Sequence, residues 1–202
     1  MKTINVNLYT FEELSQEAQK TAIENYKNDY CETIGTFWQD ENFNSIKAVL
    51  TFFDVKLKNW SIDYWSAARS WIDWELNLDY DDEIKNLSGA RLFKYLQNNY
   101  VDRRTGSFNS IFDGKPDNGR CLFTGYCADG DVIAPVIEFL ERPTKNINFE
   151  DLINNIIYAG LKYIETDYDY QISDEAIKEE IINNDLYFNA EGREICPEAL
   201  TA

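Results

Sequence analysis

The most acidic stretch of the chain is also threaded with apolar residues at helical spacing. Phe149, Leu152, Ile153, Ile156, Ile157, Leu161 and Ile164 recur three and four residues apart, and Ile177, Ile181 and Ile182 take up the pattern again. Such spacing lines one face of a helix with side chains that gain about 25 cal/mol for each Å² removed from water. A disordered acidic tail lacks a stripe of this kind. Residues 151–202 hold twelve Asp or Glu against three Lys or Arg. Their charges are therefore expected on ordered helical surfaces.

The whole chain carries a net charge of −17 and no histidine. The missing imidazole removes the commonest general base and the commonest metal ligand. A surplus of acid repels phosphates, so nucleic acid and anionic membrane surfaces are unsuitable direct ligands. It favours a positively charged protein partner. Apolar residues make up 44% and aromatics 15%, enough to bury a core in a chain of 202 residues. No run of about 20 apolar residues is present to span a bilayer, and Met1 to Asn7 lacks the apolar segment of a signal peptide. Cys31, Cys121, Cys127 and Cys196 form no C-x-x-C pair. They read as reduced thiols of a cytoplasmic protein, with no metal or cofactor implied.

Thr3 to Tyr9 alternates as a half-buried strand. Thr10 and Glu13 make a capping-box pair, with Ser15 as a second cap, ahead of a helix carrying Leu14, Ala18, Ala22, Ile23 and Tyr26. A further helix is expected over Thr36 to Phe53. Asp54 to Leu78 reads as a β-hairpin turning at Ser66 to Ser70. Val55 and Leu57 share a phase that Trp60, Ile62 and Tyr64 do not, which signals a β-bulge. Ser88, Asn148 and Ser173 are placed to cap later helices, and Asp131 to Leu140 reads as helical despite Pro135. Cys121 to Tyr126 reads as a short strand and Leu186 to Ile195 as a closing hairpin. The expected class is α+β: an antiparallel sheet with helices packed on one face, in a single domain over 1–202. A sub-boundary in the Gly- and Pro-rich 102–118 loop is the alternative.

Three motifs invite a chemical reading. Gly114 to Cys121 has phosphate-loop spacing, but Arg120 and Cys121 stand where Lys and Ser/Thr are needed. Asp113 to Asn118 resembles the start of a calcium loop, but Thr124 occupies the position of the bidentate acid. Asp129 and Asp131 flank Gly130 and suit either a turn with a helix cap or a pair of working carboxylates.

Two acidic clusters are the candidate binding surface. The first is Asp73, Glu75, Asp79, Asp81, Asp82 and Glu83, read as a strand face running into a loop. The second runs from Glu165 to Asp185 and includes Asp167, Asp169, Asp174, Glu175, Glu179 and Glu180, against Lys178 alone. Asp167 to Tyr170 alternates acid and tyrosine, placing the acids on one side if extended. Such clusters commonly serve only as a solvated face. Alternatively they imitate DNA, which presents a charge about every 1.7 Å of axis. Trp60, Trp65, Trp71 and Trp74 fall within fifteen residues. Period two puts Trp74 with Ile72 and Leu76 in the core. It puts Trp71 beside Asp73 and Glu75, where an exposed indole would anchor a partner.

Leu8 to Gln19, containing Phe11-Glu12-Glu13-Leu14-Ser15-Gln16-Glu17-Ala18, resembles the start of a loose family of bacteriophage and mobile-element proteins. In that family a strand leads into F-x-E-L-S-x-E-A, and some members bear a toxin–antitoxin label. Tyr168 to Ile177 and Asn189 to Gly192 are similar to the same proteins, while the middle matches less. The resemblance implies a phage or prophage origin and brings no catalytic residue. The functional expectation is a non-enzymatic inhibitor of a host nucleic-acid-acting defence protein, of anti-CRISPR or anti-restriction type, acting through acidic surface as a DNA mimic or by occlusion. The alternatives are an antitoxin-like partner of a basic toxin, and a small hydrolase using Asp129 and Asp131.

Overall fold

The computed structural model describes residues 7–33, 35–77, 81–101, 123–125 and 128–197. The elements over these residues are β1 (Tyr9–Thr10), α1 (Gln16–Thr33), α2 (Gly35–Phe52), β2 (Val55–Ser61), β3 (Trp71–Leu76), α3 (Asp81–Lys85) and α4 (Gly89–Asn99). Then follow α5 (Ala128–Glu141), α6 (Phe149–Gln171), α7 (Asp174–Asn183) and β4 (Tyr187–Phe188). The class is α+β, as expected. Among the described residues the antiparallel strands form two separate two-stranded sheets, β1 with β4 and β2 with β3, in place of one larger sheet. Compact packing divides the chain into one unit of residues 38–167 and another of residues 1–37 with 168–202. The 102–118 loop, the Gly114 to Cys121 and Asp113 to Asn118 motifs, and the start of the Thr3 to Tyr9 strand lie outside the described residues.

The 38–167 unit is built on helical stripes meeting a hairpin. Phe43, Ile46, Val49, Leu50 and Phe53 run along α2 and are buried against Val132, Ile133 and Val136 of α5 and Ile153, Ile156 and Ile157 of α6. Fully burying each such side chain is worth about 1.5–3 kcal/mol. Gly160 of α6 lets the helices close up, because a Cβ there would collide with Ile46. Phe52, Phe53 and Tyr100 add an aromatic cluster with centroids 4.9–5.4 Å apart, Phe53 meeting both other rings edge-on. In α2 a second row is polar. Gln39, Asn42 and Ser45 are buried, and the amides of Gln39 and Asn42 donate to Asp167 Oδ2 at 3.3 and 2.9 Å.

The hairpin follows the sequence pattern. Its register pairs Val55 with Leu76, Leu57 with Trp74 and Trp60 with Ile72, and it slips between Leu57 and Asn59. That irregularity is the bulge the change of phase predicts. The turn contains a short 3₁₀ segment, Ala67–Arg69. It is tied to α6, since Ala67 N–H donates to Glu165 Oε2 at 3.2 Å.

Helices α1, α6 and α7 are capped where the sequence suggests. Asn148 and Asp151 exchange side-chain to backbone bonds at 2.7 and 3.1 Å at the start of α6. Ser173 Oγ accepts the Ala176 N–H at 3.2 Å at the start of α7. Ser15 does the same for Ala18 in α1 at 3.2 Å. Glu13 accepts the Thr10 N–H at 2.9 Å, but that contact closes a 3₁₀ turn, Phe11–Glu13, ahead of α1. Ser88 precedes α4 in an extended conformation without a side-chain cap bond.

Three expectations are corrected. Phe123 to Gly125, expected as strand, form a bend. Asp82 and Glu83 stand in a short helix, α3, and not in a loop. The Asp167 to Tyr170 alternation is not extended: α6 continues through it to Gln171. Tyr168 extends the helical stripe of Leu161 and Ile164, and its burial overrides the apparent period of two.

The other unit has its own small core. Phe11, Leu14, Ala18 and Ala22 pack with Ile177, Ile181 and Phe188. Phe11 and Phe188 meet edge to face at 6.4 Å. Gly192 adopts φ +80, and its missing Cβ makes room for the Ala18 carbonyl. β4 also bridges to Glu194, closing the expected C-terminal hairpin around Asn189.

Candidate protein-binding surface

On the hairpin, alternation separates an inner from an outer face. Val55, Ile72 and Leu76 are buried, whereas Lys56, Lys58, Trp71 and Asp73 are exposed. Trp71 is 48% exposed and stands on the face of Asp73 and Glu75, as period two requires. Trp60 and Trp65, 46% and 57% exposed, place two more indoles towards the turn end. Trp60 rests on Phe43 with centroids 5.5 Å apart. Trp74 is half-buried, and its indole N–H donates to Asn154 Oδ1 at 3.0 Å.

The first acidic cluster is less negative in space than in sequence. Lys56 and Lys58 of β2 both reach Glu75 across the hairpin, Lys56 at 3.8 Å. The outer face therefore sets two lysines against Asp73 and Glu75, and Glu75 stands in a cross-strand ion pair. Asp82 and Glu83 are exposed on α3. Asp79 lies outside the described residues, as does the side chain of Asp81.

The second cluster divides by role. Glu165 accepts from Ala67 N–H and from Lys162 Nζ at 2.8 Å. Asp167, expected on a partner-facing side, holds the buried amides of α2. Both belong to the 38–167 unit. In the other unit, Asp169, Glu175 and Glu179 are exposed on the end of α6 and on α7. Asp174 pairs with Lys27 at 3.6 Å, and Glu180 accepts from the Asn184 side chain at 3.0 Å. Among the described residues of this unit, Asp169, Glu175 and Glu179 face water without a partner, as do Glu12, Glu17, Glu24, Asp185 and Glu194. Asp185 is the last acid of the second cluster, whereas Glu12 lies outside both clusters that the sequence pattern assigned to the surface.

Asp129 and Asp131 part company. Asp129 is fully buried. It accepts four hydrogen bonds, from the N–H groups of Phe123, Thr124 and Gly125 and from the Thr124 hydroxyl, at 2.7–3.3 Å. Asp131 is exposed in the first turn of α5. Among the described residues no cluster of three or more His, Cys, Asp or Glu is arranged to hold a metal ion. No described helix is long and apolar enough to cross a membrane.

Two concavities accompany these surfaces. A groove of about 670 Å³ runs between α5 and α6, lined by Pro135, Phe139, Arg142, Ile147, Asn155 and Tyr158. A smaller cleft of about 170 Å³ lies among β1, α7 and β4. No protein-family model, curated protein or solved structure matches the chain.

Proposed function

We propose that this chain is a protein-binding inhibitor that covers a Lys- and Arg-lined surface of a nucleic-acid-acting host defence protein. The observation that carries the reading is the ordered acid of α6 and α7 that has no partner among the described residues. Asp169, Glu175 and Glu179 are exposed on helices whose opposite faces are anchored by Tyr168, Ile177 and Ile181. Carboxylates fixed in this way attract a basic surface without first paying to order themselves. Trp71, exposed in the other unit, is the apolar anchor. The net charge of −17 favours fast, salt-sensitive association. The resemblance of the chain ends to phage proteins supports action in the cytoplasm of an infected bacterium. No cofactor or metal enters the reading.

The test is capture of bacterial lysate proteins on the immobilised chain, in parallel with a D169K/E175K/E179K variant. A nucleic-acid-binding enzyme held by the native chain, lost from the variant and released at about 1 M salt is the expected result, since the Debye length there is about 3 Å. Equal capture by both proteins overturns the reading.

A further inference from the structure

We infer that the small cleft among β1, α7 and β4 is a socket for an arginine side chain of the protein partner. The inference rests on the proposed function and adds to it a defined contact point. Phe11, Ile181 and Leu186 line the interior. Ile182 and Tyr187 are its exposed apolar walls, at 38% and 39% exposure. Glu12 and Asp185 stand on the lining as well, both exposed. Neither carboxylate takes a hydrogen bond or ion pair from a described residue. By contrast Glu13, Asp174 and Glu180 are each engaged within the unit. Unpaired carboxylate thus coincides with unpaired apolar surface.

The lining narrows the occupant by chemistry. A hydrated metal ion needs a shell of oxygen ligands, and five of the eight lining residues are apolar or aromatic. An anion is repelled by both acids. A leucine-like side chain fills the space but strips water from carboxylates without pairing them, which is costly. An arginine satisfies both parts: its stem lies on apolar surface, and its weakly hydrated guanidinium pairs with carboxylates and stacks on a ring such as Tyr187. The socket is pre-formed. Asp185 has φ 50, fixed where its N–H bonds Ile182 O at 3.1 Å and Leu186 N–H bonds Ile181 O at 3.4 Å.

The experiment titrates the ¹⁵N-labelled full chain at low salt with the methylamides of acetyl-arginine, acetyl-lysine and acetyl-leucine. Saturable shifts at Glu12 and at Asp185 to Tyr187, strongest for arginine, are expected. An E12Q/D185N variant should bind arginine about five-fold more weakly. Asn tolerates the left-handed backbone at 185, so the fold should be retained, and a well-dispersed amide spectrum verifies it. I182S should weaken binding with charge unchanged. Equal binding of leucine, or arginine shifts confined to Glu175 and Glu179, overturns the socket. If the socket fails while D169K/E175K/E179K still abolishes capture, the proposed function stands alone. If arginine binds the cleft but charge reversal leaves capture unchanged, the socket stands and the proposed function falls.

Discussion

The carboxylate of Asp129 holds Thr124 twice. Oδ2 accepts its backbone N–H at 2.7 Å and Oδ1 accepts its hydroxyl at 2.8 Å. Two further N–H groups, of Phe123 and Gly125, converge on Oδ2. Three successive amides around one anion form a nest, and the chain fills it with its own first-turn acid of α5. We predict that Asp129→Ala lowers stability by about 3 kcal/mol, because buried donors lose their acceptor. Asp129→Asn should fall in between, and Asp131→Asn should stay within about 0.5 kcal/mol. Urea unfolding distinguishes the three, and an Asp131→Asn loss equal to that of Asp129→Ala contradicts the assignment.

The two glycines at close approaches should tolerate alanine poorly. At Gly160 a methyl group meets Ile46 inside van der Waals contact and Val132 Cγ2 at 3.2 Å. Overpacking of this kind costs about 1–3 kcal/mol. At Gly192 the methyl group meets the Ala18 carbonyl, and φ +80 strains any L residue. Gly192→Ala should therefore cost at least as much. Thermal denaturation of the single variants checks both, and native-like melting of Gly192→Ala excludes the close approach to α1.

Trp71 and Trp74 should separate binding from stability. Trp71 is exposed, so Trp71→Ala should change stability by less than about 0.5 kcal/mol while weakening partner capture. Trp74→Ala loses half-buried ring area and the bond to Asn154, and should cost about 2 kcal/mol. The order reverses if Trp71 is structural.

Acid should loosen the tie between the hairpin turn and α6. The Lys162 ammonium hydrogen-bonded to Glu165, aided by the Ala67 N–H, lowers the carboxyl below its ordinary range. A depressed folded pKa contributes stability that is fully present above the unfolded value. It is lost as pH falls through the folded one. The urea midpoint should therefore drop below about pH 4.5 less steeply in Glu165→Gln than in the native chain. At the other extreme, burial and the hydrogen bond with Tyr95, with Asp54 adding to both, raise the Tyr100 phenol above its usual range. That stability is present below the unfolded tyrosine pKa of about 10 and is lost as pH rises through the folded value. Tyr100→Phe should blunt alkaline unfolding followed at the phenolate absorbance.

The hairpin was legible because its signal is local: alternation, a slip of phase after Leu57 and small residues at the turn all lie within twenty-five residues. The caps at Ser15, Asn148 and Ser173 were legible for the same reason. What sequence order hid was pairing across distance. Counting along the chain made Asp73 to Glu83 uniformly acidic, whereas Lys56 and Lys58 oppose Glu75 from the neighbouring strand. It counted Asp167 as surface acid, whereas two amides more than a hundred residues away hold it. Helix α3 is too short for a period to emerge. Asp129 resembled a simple turn acid because three of its four bonds come from backbone amides, which leave no trace in residue identity.

The polar row on α2 has a consequence for uniqueness. Aliphatic packing is non-directional, and apart from Ile46, which fits against Gly160, the α2 stripe tolerates more than one alignment along α6. The amides of Gln39 and Asn42 do not share that tolerance. A slip of about 5.4 Å carries them past Asp167 and strands two buried polar groups, at about 1–3 kcal/mol each. The same carboxylate that was lost to the outer surface therefore acts as a vernier mark, setting which of several similar alignments the two helices adopt.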